Sequence, residues 1–332
     1  MTLNLNGTRI LFLSAKLFDY QTEICKAMRN AGAIVDYFDE RPANSFLVKA
    51  LIRINRNLLS KYINDYHNRI IQKTRSFRYD YIFFTKGESV SSASLKLLRQ
   101  LHPEARLIIY HWDSIANNRN AQRLFSCFDK IFSFDKKDCE QFGLHFLPLF
   151  YIPDYAKIST DIRPKKYDML FIGTTHSDRY RLIKRLESAI SQLGGRSFSW
   201  FYFPSKILYY KMKLLNPDIR KIPQKSFHFK PMAKEVLLDL FASSGIVADI
   251  QHPKQTGLTM RCIETLGAKK KLITTNPHIA EYDFYNPNNI LIVNRDSPII
   301  DRRFFNTPYT EIPADIYEKY SIDGWLTQIL QS

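Results

Sequence analysis

The chain alternates short apolar runs with amphipathic segments, and this alternation constrains its fold more than any other feature of the sequence. Alternation of this kind predicts β-α-β units and therefore a parallel, doubly wound sheet. In the first half, the predicted strands are 9–14, 33–39, 79–85, 105–112, 130–134 and 145–150, and the predicted helices are 19–31, 91–101, 119–127 and 136–142.

The second half restarts the alternation without repeating the sequence. Its predicted strands are 167–174, 198–203, 245–250, 271–276 and 289–293, and its predicted helices are 175–195, 232–244 and 259–269. We therefore expect an α/β protein with two doubly wound, Rossmann-like domains facing across a cleft, with ligands at the carboxyl ends of the strands.

The polar segment 155–166 is predicted to link the two domains. The expected domains are then 1–154 and 155–310. The remaining segment, 311–332, is predicted to be helical, and in two-domain proteins of this kind such a tail can cross back to the first domain.

The composition restricts the possible partners and the compartment. The 332 residues include 48 Lys and Arg against 32 Asp and Glu, a net charge of +16. This excess predicts a polyanionic partner, which could be a nucleic acid, an anionic membrane surface or a phosphorylated substrate. The four cysteines form no C-x-x-C pair, so no zinc site is expected. The apolar run after Arg9 is too short for a signal peptide or a membrane span, which predicts a cytoplasmic protein with peripheral membrane contact at most.

The segment "HPKQTGLTMRCIETLGAKKKLITTN" (252–276) leaves one predicted strand, enters a helix near Thr259 and returns as the next strand. A helix N-terminus presents unpaired N–H groups and a partial positive charge, which suits a diphosphate. Gly257 would let the backbone approach the ligand, and Thr256 and Thr259 would add hydroxyl donors. Alternatively, Gly257 is only a turn residue.

Glu264 is the only acid in this basic segment. A carboxylate one to two turns into the helix can accept hydrogen bonds from both ribose hydroxyls of a nucleotide. Alternatively, Glu264 pairs with Lys269 or Arg261 on the protein surface.

Several motifs together resemble bacterial polysaccharide glycosyltransferases of the GT-B type. They are "QTGLTMRCIETLGAKKKLITTN", "YDMLFIGTTHSDRYRLI", "KGE" and "HWDS". The sequence is most similar to the group that includes CgeB-type spore-maturation proteins and many capsule, O-antigen and exopolysaccharide enzymes. The resemblance covers most of residues 79–293 and is strongest over 167–179 and 245–293.

The resemblance implies a nucleotide-sugar donor in the C-terminal domain, with UDP the commonest nucleotide, and an acceptor in the N-terminal domain. It implies no metal and no separate cofactor, because helix dipoles and cationic side chains neutralise the leaving diphosphate. Gly173 and Thr174 lie where a strand gives way to a helix and would offer further backbone donors. Arg179, Arg261 and Lys230 are candidate cations for the same anion, although Arg179 and Arg261 could equally be solvated helix residues.

Retaining members of such families carry two glutamates eight positions apart, and Thr256 stands eight positions before Glu264. This departure favours an inverting mechanism, which needs a general base from the N-terminal half. Asp113 directly follows an apolar strand and is the favoured base, with Ser114 orienting it; the alternative is that Asp113 caps the next helix. Glu88 and Asp19 are the other candidate bases, and Glu88 could instead hold the acceptor.

Residues 44–78 carry eight Lys or Arg and one acid. Apolar residues recur there at helical spacing, which predicts a cationic amphipathic helix pair that contacts an anionic inner-membrane surface or a lipid-linked acceptor. Alternatively, these helices pack on the sheet with a solvated basic face. A second basic and aromatic segment, 203–225, could serve the same purpose or line an acceptor channel. The apolar positions in 44–78 are Leu47, Leu51, Ile54, Leu58 and Tyr62.

The sequence thus predicts a peripheral inner-membrane glycosyltransferase of surface polysaccharide biosynthesis, such as that of lipopolysaccharide or capsule. A non-catalytic scaffold that binds glycan or lipid is one alternative. A basic nucleic-acid-binding protein is another, but the sequence has no recognition-helix motif, aromatic RNA-binding signature or zinc spacing, so no nucleic acid is expected.

Overall fold

The computed structural model describes residues 3–16, 19–43, 59–118, 120–253 and 255–331. The chain divides into two compact units: unit 1 comprises Met1–Leu149 and Ile322–Ser332, and unit 2 comprises Phe150–Ser321. The sequence places the domain boundaries after residues 154 and 310, whereas the two units meet after Leu149 and unit 2 ends at Ser321. Residues 44–58 of the predicted basic helix pair lie outside the described residues.

Strands and helices alternate along both units. The strands are β1 Arg9–Ser14, β2 Ile34–Phe38, β3 Tyr81–Thr85, β4 Arg106–His111, β5 Lys130–Ser133, β6 His145–Phe146, β7 Tyr167–Thr174, β8 Ser197–Tyr202, β9 Ser244–Asp249, β10 Lys271–Thr274 and β11 Ile290–Ile292. The α-helices are α1 Tyr20–Asn30, α2 Ser60–Thr74, α3 Ser92–Leu101, α4 Lys136–Phe142, α5 Pro153–Ile158, α6 Arg179–Gln192, α7 Lys206–Leu215, α8 Pro217–Arg220, α9 Lys234–Ala242, α10 Met260–Gly267, α11 Arg302–Asn306, α12 Ala314–Lys319 and α13 Ile322–Leu330. Shorter 3₁₀ helices span Ile115–Asn117, Ala121–Cys127, Gln224–Ser226 and Pro277–Glu281.

Unit 1 is built on a parallel sheet, as the alternating pattern predicts. In the described part of the chain this sheet has six strands in the order β2-β1-β3-β4-β5-β6. Strand β3 lies inside the sheet, and Ile82, Phe83 and Phe84 are fully buried, as expected where both faces of a parallel sheet are covered. Burying each of these side chains contributes about 1.5–3 kcal/mol.

The C-terminal helix α13 belongs to unit 1. The Trp325 ring packs edge-on against Tyr110, with 4.8 Å between ring centroids, and lies 6.0 Å from Phe83. The Tyr81 hydroxyl donates a hydrogen bond to the Leu330 carbonyl over 2.7 Å. These contacts complete the core of unit 1 with residues from the end of the chain.

The described part of the predicted basic segment forms the single helix α2. Its buried face consists of Ile63, His67, Ile70, Ile71 and Thr74. Tyr62, the last apolar position of the predicted stripe, lies on α2 but is 44% exposed, so it is not part of the buried face. Helix α2 therefore packs one apolar face in unit 1 and turns its cations outward.

Unit 2 contains a second parallel sheet, with five strands in the order β11-β10-β9-β7-β8 among the described residues. Strand β7 has the predicted bounds, because its apolar run is flanked by polar residues on both sides.

Two predicted elements near the boundary between the units need correction. The expected strand 145–150 pairs only over His145–Phe146, and the expected linker begins inside helix α5, where Tyr155 and Ile158 are buried.

The two sheets share one connectivity. Renumbered from the first strand of each unit, both run 2-1-3-4-5, and unit 1 adds a sixth strand. In sheets of this order, ligands bind at the carboxyl ends of the strands where the winding reverses, between the first and third strands. The expected sites are therefore the ends of β1 and β3 in unit 1, and of β7 and β9 in unit 2.

Among the described residues, none of the helices has both the length and the apolar composition that a membrane-spanning helix requires.

Candidate functional site

Arg179 lies between the ends of β7 and β9, where the winding of the unit 2 sheet reverses. It is the first residue of α6 and is 8% exposed. Its Nε donates to the Ile250 carbonyl beyond β9 over 2.8 Å, and its Nη1 donates to the Thr174 carbonyl at the end of β7 over 2.8 Å. Burial lowers the pKa of Arg179 to about 10, so the guanidinium stays charged at neutral pH. Arg179 is therefore not a solvated helix residue; it joins the two strand ends that define the site.

Gly173 makes room for this arginine. A Cβ atom at position 173 would lie 3.2 Å from Nη1 of Arg179 and 3.0 Å from the Phe171 ring. The sequence predicts that Gly173 brings backbone donors close to a ligand. In the structure, a further role of this glycine is to let the buried guanidinium reach Thr174.

A second arginine, Arg295, holds the loop 175–178 that follows β7. Its Nη1 pairs with Asp178 at 2.8 Å, and its Nη2 donates to the Gln251 carbonyl. His176 in this loop lies with its ring centroid 5.4 Å from that of His252. Burial, together with nearby Arg179, His252 and Arg295, lowers the pKa of His176 to about 3, so this imidazole is neutral at physiological pH.

The loop 175–178 is also held from the other side. Asn216, which caps α8, donates from Nδ2 to the Ser177 carbonyl over 2.7 Å. Ser177 has a left-handed backbone, with φ of 47°, a conformation that is uncommon for a residue with a side chain. The Thr175 hydroxyl is buried and has no hydrogen-bond partner in the described part of the chain.

The predicted helix start in segment 252–276 is observed at α10. Thr259 is its N-cap: the hydroxyl accepts from the Cys262 N–H over 3.4 Å and donates to the Asp249 carboxylate over 2.8 Å. The hydroxyl that the sequence assigns to a phosphate is thus already used by the cap. The Gly257 carbonyl accepts from Gln255, and the Thr256 carbonyl accepts from Asn276.

Glu264 is paired with Arg261. Nη1 of Arg261 lies 2.7 Å from Oε2 of Glu264, and the two side chains are 19% and 7% exposed. Pairing with Arg261 was the alternative interpretation of Glu264, but the pair is mostly buried rather than on the surface. Tyr155 hydrogen-bonds to the pair, and burial together with the nearby carboxylate raises the pKa of Tyr155 well above its ordinary value.

Two lysines do not make the contacts that the sequence predicts for them: Lys269 as a partner of Glu264, and Lys230 as a cation for the donor anion. Lys269 pairs with Glu311 at 2.6 Å rather than with Glu264. Lys230 is exposed and lines an open pocket of about 470 Å³ with Trp200 and His228 beside the edge strand β8. None of the other predicted donor-site residues lines this pocket, as far as the described residues show.

A separate charged cluster lies at the strand ends of unit 1. Glu88 is 7% exposed and accepts from Nε of Arg41 over 2.9 Å. Lys86 follows β3 and lies 3.3 Å from Asp113, which follows β4. The Asn117 amide also donates to Asp113 over 2.9 Å. Asp113 is the most accessible carboxylate of the cluster, with 38% of its side chain exposed.

The expected surroundings of Asp113 need correction. The 3₁₀ helix at Ile115–Asn117 is preceded by Ser114, so Asp113 is not its N-cap. Ser114 hydrogen-bonds to Asp138, while Lys86 and Asn117 orient Asp113. The third candidate base, Asp19, is exposed at the start of α1 and has a left-handed backbone with φ of 62°.

Glu40 completes the cluster and was not predicted. It lies beyond β2, is completely buried, and accepts from the Ser89 and Gly87 N–H groups over 2.8 and 3.2 Å. It thereby holds the turn in which Lys86 and Gly87 adopt φ of 83° and 63°. Burial, with a smaller contribution from the neighbouring Glu88, raises the pKa of Glu40 to about 7, although the Ser89 N–H, Arg41 and Lys86 act to lower it.

This burial predicts a pH-dependent stability. Because the folded-state pKa lies above the ordinary value, Glu40 favours folding most below pH 4.5, and this contribution is lost as the pH rises through about 7. Glu40→Gln, which resembles the neutral acid, is expected to remove about 3 kcal/mol of pH dependence from the free energy of unfolding. Urea unfolding at a series of pH values measures this dependence. The control Glu104→Gln changes an exposed acid of the same unit and should keep the wild-type profile; parallel wild-type and Glu40→Gln profiles would contradict the prediction.

Comparison with known proteins gives a consistent picture of the fold. The sequence matches no protein-family model and no curated protein. Burkholderia xenovorans α,α-trehalose-phosphate synthase (UDP-forming), solved with glucose-6-phosphate, has a TM-score of 0.62 and 12% identity, over 98% of this chain and 100% of that chain. Anabaena HepE, solved with UDP and glucose, has a TM-score of 0.57 and 13% identity, over 98% and 99% of the two chains.

A third solved structure, the apo form of the lipopolysaccharide outer core galactosyltransferase WaaB, has a TM-score of 0.51 and 12% identity, over 98% and 99% of the two chains. All three neighbours are glycosyltransferases of the GT-B type. At these identities the likeness defines the architecture: this chain has the GT-B fold along almost its whole length.

Proposed function

We propose that this chain is a glycosyltransferase that moves a sugar from a nucleotide-sugar donor to a glycan or lipid-linked acceptor. The observation that carries the proposal is a cluster of arginines in a chain with the GT-B fold, at the place where the winding of the unit 2 sheet reverses. There Arg179, Arg261 and Arg295 gather around the ends of β7 and β9, beside the start of α10.

The donor diphosphate is proposed to bind at the N-terminus of α10. The first N–H groups of a helix have no acceptor within it and favour an anion, although in α10 the Cys262 N–H already donates to the Thr259 hydroxyl. Buried arginines raise the local positive potential more strongly than exposed ones do, because water screens them less. The donor therefore needs no metal or other cofactor for charge compensation in this proposal, and UDP is the proposed nucleotide.

Glu264 is proposed to accept hydrogen bonds from the ribose. A carboxylate has about four acceptor positions, so the hydrogen bonds from Arg261 and Tyr155 do not by themselves exclude the ribose hydroxyls. In this arrangement Arg261 both orients the carboxylate and contributes charge to the donor site.

A thermal-shift screen against nucleotides and nucleotide-sugars tests the proposal. A nucleotide-sugar at about 100 times its Kd should stabilise the fold by about 2.7 kcal/mol, whereas a short oligonucleotide at equal phosphate concentration should not. Glu264→Gln is expected to weaken nucleotide binding by more than about tenfold. Unchanged affinity would remove its role, and no shift with any nucleotide would remove the proposal.

The control Glu187→Gln changes a partly exposed acid of α6 that pairs with Lys184, and it should leave nucleotide affinity unchanged. Transfer, or slow hydrolysis of the donor, separates an enzyme from a non-catalytic scaffold that only binds glycan or lipid. The melting temperature of each variant without ligand shows whether it is folded.

Asp113 is the proposed general base of an inverting transfer. Its partial exposure and its fixed position between Lys86 and Asn117 suit a group that must meet an acceptor hydroxyl. Glu88 is buried in its pair with Arg41, which suits a positioning role better.

The setting is proposed to be bacterial surface polysaccharide synthesis at the cytoplasmic face of the inner membrane. The resemblance to the CgeB-like group supports this acceptor class. Residues 44–78 are the proposed electrostatic contact with anionic lipid. In the described part of that segment, all the lysines and arginines are exposed: Lys61, Arg69, Lys73, Arg75 and Arg78.

A further inference from the structure

Helix α7 turns its apolar side chains toward solvent. Ile207 is 79% exposed, Leu214 72%, Leu215 66% and Tyr210 56%, whereas Tyr209 is completely buried. A surface helix normally places its apolar residues toward the core and its polar residues outward. Helix α7 departs from this pattern, because most of its apolar side chains are exposed and only Tyr209 is fully buried; a partner is expected to cover such a face.

The exposed side chains form one continuous face. At 100° per residue, the positions from Tyr210 through Leu214, Ile207 and Leu215 to Leu208 cover an arc of about 160°. Lys211 is the single charged residue within this arc. We call this surface, made of residues 207, 208, 210, 211, 214 and 215, the apolar face of α7.

The apolar face cannot rotate into unit 2, because both ends of the helix are fixed. The Ser205 hydroxyl caps the N-terminus by accepting from the Leu208 N–H over 3.2 Å. Arg220 donates to the Leu214 carbonyl over 2.9 Å at the other end. Between them, Tyr209 is anchored in the hydrophobic core of unit 2.

Cations border the apolar face. Lys206 and Lys213 lie on one side of the arc, and the helix contains no acid. The segment that follows adds three exposed cations, Arg220, Lys221 and Lys225. Helices that lie in the interface of a bilayer have this composition: aliphatic and aromatic side chains enter the acyl boundary while lysines reach the headgroups.

We propose that the apolar face of α7 inserts into the interfacial region of an anionic lipid bilayer. Charge complementarity favours this partner over a second copy of the chain. Two apposed copies would bring Lys206, Lys211 and Lys213 of each together, which costs free energy, whereas anionic headgroups would neutralise them. The proposal is independent of the sugar-transfer activity. The proposed insertion also differs from the electrostatic contact proposed for α2, because the apolar face of α2 is buried and cannot enter a bilayer.

Sedimentation of the full chain with vesicles tests the proposal. Vesicles of phosphatidylcholine mixed with phosphatidylglycerol are expected to bind the wild type, and pure phosphatidylcholine vesicles to bind it weakly. Ile207→Ser combined with Leu214→Ser should weaken binding to the mixed vesicles by at least about tenfold. Tyr210→Trp should show a blue shift of its fluorescence on the same vesicles.

The matched control is Ile162→Ser combined with Ile299→Ser, which removes two apolar side chains elsewhere in unit 2 that are at least as exposed as Ile207 and Leu214 on average. This control should bind like the wild type. The proposal would be overturned if the α7 double variant bound the mixed vesicles as strongly as the wild type. It would also be overturned if these vesicles did not shift the fluorescence of Tyr210→Trp. Light scattering that shows a wild-type dimer which the α7 variant converts to a monomer would overturn it as well, because the face would then lie between copies.

Discussion

Asp113→Asn is expected to lower the rate of sugar transfer by about 10²–10⁴-fold while donor affinity stays unchanged. Asparagine preserves the size of the side chain and can still contact Lys86 and Asn117, but it cannot accept a proton from the acceptor hydroxyl. Initial rates at saturating donor measure the first quantity, and nucleotide titration measures the second. Full activity in this variant would exclude Asp113 as the base.

The other two candidate carboxylates serve as comparisons. Asp19→Asn changes an exposed residue at the start of α1 and is expected to leave transfer nearly unchanged. Glu88→Gln breaks a buried pair with Arg41 and should reduce stability as well as activity, because it leaves a buried cation without its partner. An inverting reaction also changes the configuration at the anomeric carbon, so a product that keeps the donor configuration would contradict this mechanism.

Arg179→Met should lower the free energy of unfolding by about 2–4 kcal/mol. Methionine fills much of the space but donates no hydrogen bond, so the Thr174 and Ile250 carbonyls both lose their donor. Buried carbonyls without partners are costly. Urea unfolding followed by circular dichroism measures the change.

Arg181→Met provides the matched control for that experiment, since it changes an exposed arginine two positions further along the same helix. Its effect should stay within about 0.5 kcal/mol. Equal effects of the two substitutions would show that Arg179 does not hold the strand ends together. If a folded Arg179→Met variant also loses nucleotide binding, Arg179 contributes directly to the proposed donor site.

The local parts of the fold could be predicted from the sequence, and their contacts across the fold could not. Strand β7 was predicted with its observed bounds because its apolar run is sharply bounded. Helix α5 was missed because its few apolar residues lie among polar ones in the expected linker. The strand order was not available from periodicity, so nothing in the sequence indicated that Arg179 would reach Ile250, 71 positions away.

The candidate sites show the same limit. Glu264 and Asp113 were found because each stands alone among residues of a different kind. Glu40 was missed because its importance depends on N–H groups 47 and 49 positions further along the chain. Arg295 could have been suspected, since it follows the last strand of a sheet whose carboxyl edge was expected to bind the ligand.

The Asn216 side chain has a consequence for how this protein should be assayed. Through one hydrogen bond to Ser177, the connection between α7 and α8 is tied to the loop that carries His176 and Asp178. Lipid bound to α7, as proposed, would therefore also act on this loop, which lies at the proposed donor site. Sugar transfer, if measured as proposed, should therefore be compared in plain buffer and on liposomes, because the loop is held by the protein alone in the first case and also by bound lipid in the second.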